Sequence, residues 1–136
     1  MRSAECEMSR ETAGRHALIA AAREFNAGRY FEAHEALEDA LDEVPDALWD
    51  LFNGLIQIAV GYHKATQQLW SGALRMLDSG LQKVAPYPAN AGGINLDAFR
   101  ERVCADIDRL RAGDFDSDTL AHHPPRLQPL VVAHAH

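Results

Sequence analysis

The sequence predicts an all-α domain, a compact bundle of about five helices built from two related helical hairpins plus a C-terminal helix. Three observations predict it. Apolar residues recur three and four apart in successive segments, the spacing of one helix face. Proline, glycine and asparagine fall between those segments, where helices stop. No pair of alternating segments offers a strand ladder.

From Glu11 to Ala27 the apolar set is Ala17, Leu18, Ala21, Ala22 and Phe25, and Asn26 with Gly28 supplies a left-handed stop. A second helix runs from about Tyr30 to Val44 and ends at Pro45. The third, from about Asp46 to Gln67, is apolar on nearly every side, so it belongs in the centre under its neighbours. Asp50, Asn53 and Gln57 interrupt it too often for a membrane span. A fourth helix starts near Ser71, read as its N-cap, and stops before Pro86-Tyr87-Pro88. Asn95 caps a fifth, which Gly113 closes. This divides the chain into an N-terminal extension (1–10), one helical domain (11–113) and an irregular tail (114–136), with Leu130, Val131 and Val132 as the part of the tail suited to docking.

Overlaying the second and fourth helices with a shift of forty aligns Ala33 with Ala73, Leu37 with Leu77, Ala40 with Gly80, Leu41 with Leu81 and Val44 with Val84. The small residues at these positions would let paired helices approach closely. The segment GRYFEAHEALEDALDEVP also resembles the second half of a tetratricopeptide repeat, which implies a peptide-binding module. Two units spaced by forty, with a very apolar helix between them, fit a closed domain better than an open superhelix.

A chain of 136 residues is long enough to bury about two thirds of its unfolded surface without disulfide or metal. Its charge of −7 offers no long-range attraction for nucleic acid or anionic lipid, so neither is expected as a partner. The two cysteines, Cys6 and Cys104, form no C-x-x-C pair, and Cys104 reads as a small buried hydrophobe. The charged N-terminus lacks the apolar core of a signal peptide. A reducing cytoplasm is the expected location.

His34 is the residue that departs from the helical pattern. The apolar stripe of the second helix is Tyr30, Ala33, Leu37, Leu41 and Val44, with His34 at its edge and Glu38 one turn on. In the internal repeat the position of His34 is held by Leu74. An imidazole placed there needs partners, since an unsatisfied one costs about 1–3 kcal/mol. Asn53, Gln57 and His63 of the third helix are the candidates. Glu32, Glu35, Asp39, Asp42 and Glu43 form a solvated acidic face that could also meet a basic partner.

Two chemistries fit. In the first, His34, Glu35, Glu38, Asn53, Gln57 and His63 form a binding or structural polar cluster, with His34 and Glu38 an internal anchor. In the second, His34 and Glu38 share one helix face as two metal ligands do, and His63 adds a third for zinc, manganese or iron in a metal-dependent hydrolase. The pattern HEALE is not HExxH, and no Glu-x-x-His occurs. No nucleophile lies beside His34 for metal-free catalysis, because Ser71 and Ser79 read as a cap and a surface residue. The tail histidines His122, His123, His134 and His136 read as solvated.

Taken in order, FNAGRYFEAHEALE, then GLIQIAVGYH at 54–63, then the Gly-Ala of SGALRML and LQKVAPYP resemble domain-of-unknown-function family 309, over roughly residues 17–110. The resemblance implies a small helical protein and no established activity. The chain departs from the family pattern at Leu41-Asp42, where members often carry tryptophan, and in LWDLFN, where an arginine often precedes GLIQ. The expected role is therefore a binding or interaction domain, for a protein partner or another copy of itself; no cofactor is assigned.

Overall fold

Helix α1 (Ala4–Asn26) begins well before its apolar stripe, in a run whose Ala, Glu, Met and Arg residues favour helix. The computed structural model describes residues 4–130, with side chains described from residue 9; Cys6, Val131, Val132, His134 and His136 lie outside the described side chains. The helix ends on Gly28 at φ +74, with the Arg29 amide reaching back to the Glu24 carbonyl and Gly28 to Phe25. The Arg29 guanidinium also holds the Glu24 carboxylate at two points of 2.9 Å.

Helix α2 (Tyr30–Ala40) tightens into a 3-10 turn (Leu41–Glu43), and Val44 is extended because Pro45 follows. A second 3-10 turn (Asp46–Leu48) leads into α3 (Trp49–Thr66). The link to α4 (Trp70–Val84) repeats the α1–α2 link forty residues on. Leu69 bonds back to Lys64 and Gln68 to Ala65, and Gln68 occupies the left-handed position at φ +61 that glycine holds at residue 28. The forty-residue repeat thus extends through the turns.

Because α4 starts at Trp70, the cap position is Leu69, which makes no side-chain capping bond; the assignment of Ser71 as N-cap is corrected. Cys104 is exposed on α5, against the buried position expected of it. Ser79 is half-buried and donates to Gln57 rather than facing solvent.

Helix α3 is the central element, burying Leu51, Phe52, Leu55, Ile58, Ala59 and Tyr62 among others, and it packs most extensively on α4. The approach is close because glycines face each other. A Cβ on Gly54 would stand 2.9 Å from the Gly80 carbonyl oxygen, and one on Gly61 would stand 2.8 Å from Leu77. Tyr87, in the loop after α4, donates to the Ala47 carbonyl (2.8 Å) and accepts from the Leu51 amide (3.1 Å), fixing the start of α3. Helix α5 (Leu96–Ala112) is capped by the Asn95 side chain and closed by Gly113 in the left-handed region, as expected from the sequence. Its Arg100 donates to the carbonyls of Val84, Ala85 and Tyr87, which closes the end of α4.

Beyond residue 114 the chain is more ordered than its composition suggests. A short helix α6 (Ser117–His122) is capped by Asp116, and Leu120 and Leu127 are buried in the core. Ile94 and Pro129 form an isolated bridge, the single strand-like pairing among the described residues. The all-α bundle is therefore as predicted, with one more helix than about five. None of the described helices is long and apolar enough to cross a membrane.

Candidate functional site

His34 and Glu38 do meet. Nε2 of His34 lies 2.7 Å from a Glu38 carboxylate oxygen across one turn of α2. The pair sits at the rim: the His34 side chain is 22% exposed and that of Glu38 is 59% exposed, so it is half-buried at best where an interior anchor was expected. Nδ1 of His34 is buried without a partner, so one of the two polar atoms of the ring is left unsatisfied.

The remaining residues of the predicted cluster separate. Phe31 lies between two imidazoles, its ring centroid 5.6 Å from His34 and 5.5 Å from His63. Gln57 is taken by Ser79 of α4 at 2.9 Å, since α3 and α4 are the most closely packed pair. The Asn53 amide turns back to the Trp49 carbonyl at 2.9 Å. Glu35 stays on the exposed face of α2. Among the described residues no three His, Cys, Asp or Glu side chains converge as a metal site would need, and His34, Glu38 and His63 are no exception.

The unfilled Nδ1 makes a prediction for His34→Leu. The substitution removes an unsatisfied buried ring nitrogen and releases Glu38 to water, where it already largely is. Folding stability is expected to stay level or rise by up to about 1 kcal/mol in urea unfolding. A loss greater than that would mean the His34–Glu38 bond holds α2 in place.

A second polar cluster was missed by sequence reasoning. Asp106 of α5 is 2% exposed, yet carries a carboxylate. Tyr62 of α3 donates to its Oδ2 at 2.6 Å, Arg102 Nε to the same oxygen at 2.8 Å, and Arg109 to Oδ1 at 2.6 Å. Tyr30 of α2 stacks on Tyr62 with centroids 5.3 Å apart, and its own hydroxyl is buried without a partner. The cluster therefore joins α2, α3 and α5. Its signal was present in the sequence: Phe99, Val103, Ile107 and Leu110 make the α5 stripe, and Asp106 falls on it with arginines four before and three after.

Burial raises the Tyr62 hydroxyl well above its ordinary value, and the Asp106 charge and hydrogen bond add to it. Burial likewise raises Tyr30, with Arg102 opposing and Asp106 adding. Folded tyrosines thus keep protons that unfolded ones release near pH 10. The stability this represents is fully present below that pH and is lost as pH rises above it. Each tyrosine is expected to contribute a fall of about 1.4 kcal/mol per pH unit. Urea unfolding above pH 10 should show a slope near twice that, and Tyr30→Phe should halve it.

The exposed side of α2 and of the turns that lead from it into α3 is rich in acids. Between Arg29 and Lys64 there is no lysine or arginine, and Glu32, Glu35, Glu38, Asp39, Asp42, Glu43, Asp46 and Asp50 are all exposed. Phe31 stands at one end of this stretch and Trp49 near the other, each 47% exposed.

A family model described as a domain of unknown function, DUF309, matches residues 18–76, the segment holding α2, α3 and the start of α4. This agrees with the resemblance carried by FNAGRYFEAHEALE and GLIQIAVGYH. No curated protein matches the chain.

Proposed function

We propose that this chain, whose residues 18–76 match the DUF309 family model, is a binding domain that takes a basic segment of a partner protein along α2. The half-exposed Phe31 ring is the apolar anchor, and the His34–Glu38 pair supports it from one side. The carrying observation is the acidic edge itself. Helix α2 has acids and no base in its last turn, where the helix dipole disfavours negative charge. Glu35 and Asp39 add a like-charge pair at i and i+4, destabilising by about 0.2–0.5 kcal/mol. A surface shaped only for stability would intersperse bases. A surface that recruits a cationic partner would not, since a field of one sign speeds encounter and selects charge. An exposed aromatic within such a field is the usual kind of energetic anchor.

The test is selection of phage-displayed peptides on the full chain. Enriched peptides should combine lysines or arginines with an apolar residue, and their binding should weaken with salt. The double variant Glu35→Lys/Asp39→Lys should bind about tenfold more weakly without loss of melting temperature, and Phe31→Ser should weaken binding as well. Peptides without basic residues, or equal binding by the charge-reversed variant, would overturn the reading.

A further inference from the structure

The end of α1, helix α5 and the segment from the end of α6 onward line an open cavity of about 590 Å³. Arg102, Arg126, His122, His123, Asn95 and Gln128 contribute to its walls, and none of the residues lining it is acidic, in a chain whose net charge is −7. We infer that this cavity binds the oxyanion group, phosphate or carboxylate, of a small molecule.

The walls are built rather than loosely draped. Arg102 donates to the His123 carbonyl at 2.5 Å, the Leu127 amide donates to the Asn26 side chain at 2.9 Å, and the Asn95 amide donates to the Gln128 carbonyl at 2.8 Å. Leu130 adds a bond to the Gly93 carbonyl at 2.7 Å, and Leu127 is fully buried beneath the segment. A stretch rich in proline and histidine is thereby held with its cationic and imidazole side chains around one space.

The charged side chains that line the cavity are both arginines, Arg102 and Arg126. Of the lining residues Arg102 is paired with Asp106, a carboxylate that Arg109 also holds from outside the cavity; Asp106, Asp114 and Asp116 line a separate, smaller pocket on the other side of Arg102. Arg102 is gripped at Nε by Asp106 and at Nη2 by His123, which fixes the plane of its guanidinium before any ligand arrives. A pre-oriented guanidinium is suited to planar recognition of an oxyanion, and exposed Arg126 supplies a second charge. The volume lies within the range of about 300–1,000 Å³ usual for small-molecule sites. Asn26 alone of the lining residues falls in the DUF309 match, so the site belongs to the part of the chain beyond it.

The test is a nitrogen-15 NMR titration of the full chain with sodium phosphate and, in parallel, sodium acetate, each at constant ionic strength set with sodium chloride. Saturable shifts at the side-chain amides of Asn26, Asn95 and Gln128 and at Arg102 Nε are expected with at least one of them. The salt that saturates at lower concentration identifies the group. Arg126→Gln, which alters an exposed side chain and should melt as the parent does, is expected to weaken that binding about tenfold. Shifts that rise linearly with both salts, or saturable shifts unchanged in Arg126→Gln, would overturn the inference.

Discussion

Asp106→Ala is expected to lower folding stability by about 3–5 kcal/mol, because removing one partner of a buried ionic group strands the others. Tyr62 would keep a fully buried hydroxyl with no acceptor, and Arg102 would lose the carboxylate that orients it. For a domain of this length the loss corresponds to a melting point lower by about 10–20 °C. Tyr62→Phe alone should cost less, about 1.5–3 kcal/mol, since two guanidinium groups still satisfy Asp106. In the double variant the costs should fall well short of their sum, because the same hydrogen bond is counted in both. Urea unfolding of the four proteins measures all of this. An Asp106→Ala protein as stable as its parent would mean that α5 is held by its apolar stripe alone.

The same carboxylate shows where sequence reading stops. The helix limits set by local chemistry were legible at Gly28 and Gly113, which do adopt left-handed backbone, and at Asn95, which does cap α5, whereas the second helix, read as running to Val44, ends at Ala40 and leaves Val44 extended. Each of these is decided within four residues. Gln68 was not legible, because nothing local announces a glutamine in a glycine conformation; only the forty-residue repeat, laid against Gly28, points to it. Ser71 misled for the complementary reason, as a good capping residue that the turn places one position inside the helix.

For the candidate site, periodicity located His34 on the edge of the stripe and paired it with Glu38, both of which hold. It could not choose between Asn53, Gln57 and His63, because that choice depends on which neighbour α3 packs against most closely. The answer is α4, which draws Gln57 to Ser79 and leaves His63 facing Phe31. Cys104 failed similarly: it lies one residue beyond the α5 stripe, on the exposed side. Asp106 lay on the stripe and was readable there, had each charged residue at an apolar register been questioned as His34 was. The order after residue 114 was hidden by composition, since Leu120 and Leu127 are buried singly and without a period.

Gly80→Ala sets two effects against each other, and their sizes decide the outcome. Alanine favours a helix interior over glycine by about 1 kcal/mol, so propensity alone predicts a gain. A Cβ at residue 80, however, would stand 2.6 Å from the Gly54 carbonyl oxygen and 3.0 Å from the Ile58 amide nitrogen, both backbone atoms of α3. Neither can rotate away, so the two helices must part along their seam, and contacts such as Gly61 on Leu77 loosen with them. Overpacking usually costs about 1–3 kcal/mol, and separation of a backbone contact belongs at the upper end, leaving a net loss of about 2 kcal/mol or more. Gly72→Ala in the same helix is the contrast. Its Cβ would meet the flexible Lys64 side chain at 3.0 Å, which can move aside, so most of the propensity gain should survive and stability should rise by about 0.5–1 kcal/mol. The internal repeat supports the distinction, because α2 carries Ala40 where α4 carries Gly80, and Ala40 is only partly buried. Thermal melts of the two variants separate the effects, and equal stability in both would mean that α3 and α4 can slide apart without loss.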